Sequence, residues 1–106
     1  MWNLFKKKGN AMATAQARHI LVGSEQEAKD LKQQIESGSA TFEDLAKAHS
    51  KCPSGREGGS LGTFRQGQMV PEFDKVVFGD LPIGKVSEPV KTQFGFHILE
   101  VQSRMN

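Results

Sequence analysis

The chain has 106 residues, of which 37% are hydrophobic and 25% charged, with a formal net charge of +2. This length bounds one small domain, the mixture excludes a disordered polymer, and no run approaches the ~20 apolar residues needed to span a bilayer as a helix. The positive charge comes from Lys6, Lys7 and Lys8: from Ala17 onward 11 Lys and Arg face 12 Asp and Glu, so a basic nucleic-acid-binding face is not supported.

Residues 1–16, MWNLFKKKGNAMATAQ, read as a flexible N-terminal tail or a cloning remnant, with the folded domain over 17–106. No apolar stretch of the signal-peptide kind follows the lysines. The single cysteine, Cys52, rules out an intramolecular disulfide and suits a reducing compartment, so a cytoplasmic location is expected. Trp2, Leu4 and Phe5 beside three lysines make this segment the one place where contact with an anionic membrane is expected.

Ala17 to Val22 is a short apolar run and predicts the first strand. Ser24 with Glu27 is a helix start signal, Ala28, Leu31 and Ile35 supply one buried stripe, and Gly38 ends the helix. Thr41 with Asp44 starts a second helix, with Phe42, Leu45, Ala46 and His49 in helical spacing. From Ser50 the chain turns into a glycine- and serine-rich loop. Its glycines lack the G-K-[ST] ending of a phosphate loop.

Leu61 to Phe64 predicts a short extended piece. Pro71 suits the first turn of a helix faced by Phe73, Val76 and Val77 and stopped at Gly79. Val86 to Val90 predicts a strand, placed at an edge by Pro89. Phe96 to Val101 predicts the last strand, with His97, Leu99 and Val101 on one face and Phe96, Ile98 and Glu100 on the other. Helices grouped between strands predict an α+β domain with a mostly antiparallel sheet.

The tripeptide H-I-L occurs twice, at 19–21 and 97–99, in the first and last strands. A buried imidazole costs free energy unless both ring nitrogens find partners. If the two strands are neighbours, His19 and His97 can satisfy each other. Such a pair is either a structural strut fixing register or part of a site. Cys52, in an irregular loop, adds a thiol that serves as nucleophile, metal ligand or hydrogen-bonding group. Zinc is poorly supported without a C-x₂-C or H-x₃-H pair, and no cysteine-hydrolase motif is present. Met69 and Phe73, four residues apart, read either as core or as the wall of a pocket for a small apolar guest.

Six segments in order, H-I-L-V (19–22), S-K-C-P-S-G (50–55), G-G-S-L-G-T-F (58–64), G-Q-M-V-P-E-F (67–73), V-S-E-P-V (86–90) and T-Q-F-G-F-H-I-L (92–99), closely resemble the parvulins. These are peptidyl-prolyl cis–trans isomerases, and the small single-domain bacterial members are the most similar. The likeness runs from about Ala17 to Arg104. It implies the parvulin fold, FKBP-like, with a four-stranded mostly antiparallel sheet surrounded by helices. It also implies isomerisation of X–Pro bonds in unfolded or folding proteins, by a non-covalent mechanism and without a cofactor or metal.

By the same resemblance His19, Cys52, Thr92 and His97 correspond to the catalytic group, with Thr92 bonded to the histidine pair. Leu61, Met69 and Phe73 correspond to the proline pocket, and Phe64 and Phe94 to its flanks. The expected partners are proline-containing segments of client proteins, with no nucleic acid, and the expected state is a monomer. Relatives that select phosphoserine or phosphothreonine before proline carry basic residues after the first strand. Here that stretch, G-S-E-Q-E-A-K, is acidic, so phosphorylation-independent activity is expected. Lys51 stands where the family often has an acid. The alternative function is a non-catalytic module that binds proline peptides or acts as a chaperone.

Overall fold

The computed structural model describes residues 13–105. In chain order the elements are β1 (Thr14–Val22), α1 (Glu25–Ser37), α2 (Phe42–His49), a 3₁₀ turn (Pro53–Glu57), β2 (Ser60–Arg65), α3 (Pro71–Val77), β3 (Val90–Thr92) and β4 (Gly95–Met105). The strands form one antiparallel sheet in the order β2-β1-β4-β3. The first and last strands are therefore central neighbours, and a helix layer lies on each face. This is the α+β, four-stranded architecture the sequence predicts.

Local chemistry sets the helix ends. The Ser24 hydroxyl accepts from the Glu27 N–H, and Thr41 does the same for Asp44, each satisfying a donor left orphaned by a helix start. Gly38 closes α1 in the left-handed conformation, φ 83°, which costs a residue without Cβ nothing. Pro71 opens α3 and Phe78 caps it, one residue before the predicted stop at Gly79.

Strand alternation splits the core. Ile20, Val22 and Ile98 face Ala28, Leu31, Phe42, Leu45 and Ala46 of α1 and α2. On the opposite face Ala15, Ala17, Leu99 and Val101 pack against Phe64, Phe73 and Val77. His19 and His97 share this second face, under α3. In both H-I-L segments the isoleucine points to α1 and α2, and the residues beside it point the other way.

Two segments differ most from the sequence reading. β1 begins at Thr14, three residues before the expected domain start at Ala17, because Ala13 and Ala15 are buried and Thr14 pairs with both β2 and β4. The tail and membrane-contact expectations for Trp2, Leu4, Phe5 and the lysines lie outside the described residues. Val86–Val90 is not a strand: Val86 makes an isolated bridge to Glu100, and β3 starts only at Val90. Pro89 has no N–H to donate. Ser87 replaces part of the ladder instead, its N–H donating to Leu99 O at 2.8 Å and its hydroxyl accepting from Leu99 N at 2.9 Å.

Candidate active site

Antiparallel register sets His19 opposite Leu99 and Leu21 opposite His97, so the two imidazoles are diagonal neighbours on one face. Both are buried, at 4% and 3% exposure. Their Nδ1 atoms lie 3.0 Å apart. The rings are nearly parallel, 14° between planes, with centroids 5.2 Å apart. The nitrogen separation plus the two ring radii accounts for the centroid distance. The pair therefore meets edge to edge through nitrogen, as a flat platform, and not face to face.

The outer nitrogens are engaged as well. His97 Nε2 lies 2.7 Å from Thr92 Oγ1, and His19 Nε2 lies 3.1 Å from Ser54 Oγ. Thr92 Oγ1 also accepts from the Phe94 N–H at 3.1 Å. Only two proton arrangements satisfy this chain with both rings neutral. Either Thr92 donates to His97, His97 to His19 and His19 to Ser54, or every one of those bonds runs in reverse. Two imidazolium rings would put N–H against N–H.

Burial and the neighbouring His97 lower the pKa of His19 to about 4. Burial also lowers that of His97, against an opposing pull from the Glu72 carboxylate. The platform is thus uncharged at neutral pH.

Phe73, from α3, stands nearly perpendicular to both rings, with centroid distances of 5.4 Å to His19 and 4.7 Å to His97. Beside it opens a cavity of about 420 Å³. His19, His97 and Thr92 line its floor; Leu61, Met69, Val70 and Phe73 form one wall; Leu21, Lys51, Cys52, Pro53 and Phe94 complete the rim. Phe94 is 64% exposed, an aromatic ring left at the mouth.

The cysteine loop is stitched to β1. Leu21 N donates to Ser50 Oγ at 3.1 Å, and Lys51 N donates to Leu21 O at 2.8 Å. Further on, His19 N donates to Gly59 O at 2.9 Å. Gly59 has φ 86°, and a Cβ there would collide with the carbonyl oxygen of His19. The loop reaches the histidine strand only because this residue has no side chain.

Eight of the nine sequence-predicted site residues therefore surround one cavity: His19, Cys52, Leu61, Met69, Phe73, Thr92, Phe94 and His97. Phe64 does not. It is buried in edge contact with Phe78, ring centroids 6.0 Å apart, and does not line the cavity. Its position in β2 turns it to the core beneath α3. Neither histidine is hydrogen-bonded to Cys52; Ser54 takes the His19 Nε2 position. Among the described residues no hydrogen bond holds the thiol. Sequence reasoning missed Ser54, Leu21, Pro53 and Val70. The signal for Ser54 is its hydroxyl two residues after Cys52, in the loop that the family resemblance puts at the site.

The chain matches the rotamase family, the PPIC-type PPIase domain, over residues 5–103. It belongs to the PPIC-type peptidyl-prolyl isomerase family. It is 48% identical over 89 residues to the foldase protein PrsA of Exiguobacterium sibiricum, and 44% identical over 89 residues to PrsA of Geobacillus kaustophilus. Both matches take in 83% of this chain, but only 29% and 31% of those proteins, so the chain spans less than a third of their length.

Among solved structures, PrsA of Bacillus anthracis superposes with a TM-score of 0.85 at 39% identity, over 93% of this chain and 45% of that one. NmPin, the parvulin of Nitrosopumilus maritimus, superposes with a TM-score of 0.76 at 37% identity, over 85% of this chain and 96% of that one. The likeness to a PPIase family and to proteins named foldases favours the isomerase reading over a non-catalytic binding module.

Proposed function

We propose that this domain catalyses cis–trans isomerisation of X–Pro bonds in unfolded or folding client chains, without a covalent intermediate. The observation that carries this reading is the carbon-walled cavity over a buried, neutral, fully hydrogen-bonded histidine platform.

Resonance gives the planar amide its barrier of ~18–20 kcal/mol and leaves negative charge on the carbonyl oxygen. The uncatalysed exchange before proline takes roughly tens to hundreds of seconds. Rotation to the twisted state breaks conjugation and reduces that charge. A catalyst has only to bind the twisted amide better than either planar form. Leu61, Met69 and Phe73 grip the prolyl ring, a burial worth about 1.5–3 kcal/mol for a side chain of this size.

The floor adds the second effect. All four imidazole nitrogens are occupied within the relay, so the platform offers no free N–H to the carbonyl oxygen of the planar amide. Water that would hydrogen-bond the charge-separated form is displaced. Cys52, at the rim, stands near the rotating carbonyl. With no base bonded to its thiol it lacks the activation a nucleophile requires. The unpaired Cys52 suits a reducing setting, and a cytoplasmic location belongs to this proposal.

The test is the isomerisation rate of an Ala-Leu-Pro-Phe peptide, read by protease coupling or NMR exchange. Rate acceleration proportional to protein concentration, and flat from pH 6.5 to 8, is expected. Saturable binding without acceleration would make the domain a proline-peptide clamp. A rate that climbs with an ionisation near 6.5 would mean proton transfer by a histidine.

A further inference from the structure

A second concavity, of about 380 Å³, adjoins the proline cavity. The two share Lys51, Cys52 and Pro53, so the Cys52–Pro53 backbone is the ridge between them. Lys47, from the last turn of α2, Lys51 and Arg56, from the 3₁₀ turn, all line it. No carboxylate lines it. Lys47 is shared with Glu43 at 3.8 Å, an exposed pair of little strength. Lys51 and Arg56 make no ion pair among the described residues.

We infer that this basic concavity is a subsite for an anionic side chain next to the isomerising bond, in the first place the carboxylate of a Glu or Asp preceding the proline. The inference rests on the isomerase reading. A prolyl ring seated against Met69 and Phe73 leaves its neighbour at the Cys52–Pro53 ridge, with Lys51 on the ridge itself and Lys47 and Arg56 beyond it. The side chain before proline is then drawn over the ridge by charge, while the ring keeps its apolar contacts. The acidic stretch after β1 repels an anion, so the selectivity comes from the loop that carries the cysteine. Lys51, which lines both concavities, is central to it.

The experiment compares kcat/KM for Ala-Glu-Pro-Phe, Ala-Ala-Pro-Phe, Ala-Lys-Pro-Phe and Ala-phosphoserine-Pro-Phe peptides at low and high salt. Glu should exceed Lys by about three- to tenfold, the contrast shrinking as salt screens it. A phosphoserine preference that matches or exceeds that for Glu shows a site for either anion, and one below it a carboxylate site. Lys51→Gln and Arg56→Gln should each lower the Glu-to-Lys ratio, and Arg56→Glu should invert it, with folding checked by thermal melting. Equal turnover of the Glu, Ala and Lys peptides, or a ratio unmoved by all three variants, overturns the subsite alone. No turnover of any peptide overturns the isomerase reading itself.

Discussion

Met69 and Phe73 sit on the same wall but answer to different forces. Phe73 is 5% exposed and belongs to the core under α3, whereas Met69 is half-buried at its edge. Phe73→Ala should cost about 3–5 kcal/mol of stability, enough to threaten a small domain. Met69→Ala should cost only about 1–2 kcal/mol while lowering kcat/KM by about tenfold. Urea melts beside peptide kinetics separate the two, and the isomerase wall is misplaced if Met69→Ala keeps full rate. Cys52→Ser should retain the fold and much of the activity. Complete loss of turnover in a folded Cys52→Ser protein would point to covalent chemistry instead.

The histidines carry a pH dependence of definite sign. Unfolded His19 takes up a proton near 6.5, folded His19 only at about 4. Between those values the unfolded chain binds more protons, so stability is full above 6.5 and declines as pH falls toward 4, by about 3 kcal/mol from His19. His97, lowered in the same direction, adds to the decline. Thermal melts at pH 7.5 and 4.5 should show it. A melting temperature unchanged across that range would mean the pair already holds a proton.

At the level of elements, helices and central strands were legible because their signals are local. Ser24, Thr41 and Gly38 act within one turn, and the alternation in β1 and β4 follows from two-residue periodicity. The pairing of His19 with His97 needed only the guess that first and last strands adjoin. The path of 86–89 was not legible. There a serine side chain, not the backbone alone, meets β4, and its partner is 12 residues away in sequence. Phe64 was misplaced for a related reason: its face depends on the register of β2 against β1, which no local pattern fixes. Gly59 is the element-level hinge of the site. Gly59→Ala should destabilise the domain and loosen Cys52 and Ser54 together, since the added methyl meets the His19 carbonyl. Hydrogen exchange should show faster opening of the His19 amide, and unchanged protection would deny the loop this anchoring role.

Over the whole molecule, the sheet has two functionally distinct ends. The end that carries Leu21, Thr92 and His97 opens into the cavity, while Thr14 and Met105 pair at the other. A permuted chain that joins Met105 to Thr14 through a short linker and begins at the exposed Gly38–Ser39 turn should fold and keep its catalytic rate. Loss of the fold in that permutant would show that α1 and α2 must be covalently continuous. The adjacency of Thr14 and Met105 has a broader consequence. A host polypeptide can leave and resume its course at one spot on its own surface, carrying this unit as a side branch whose working end points outward.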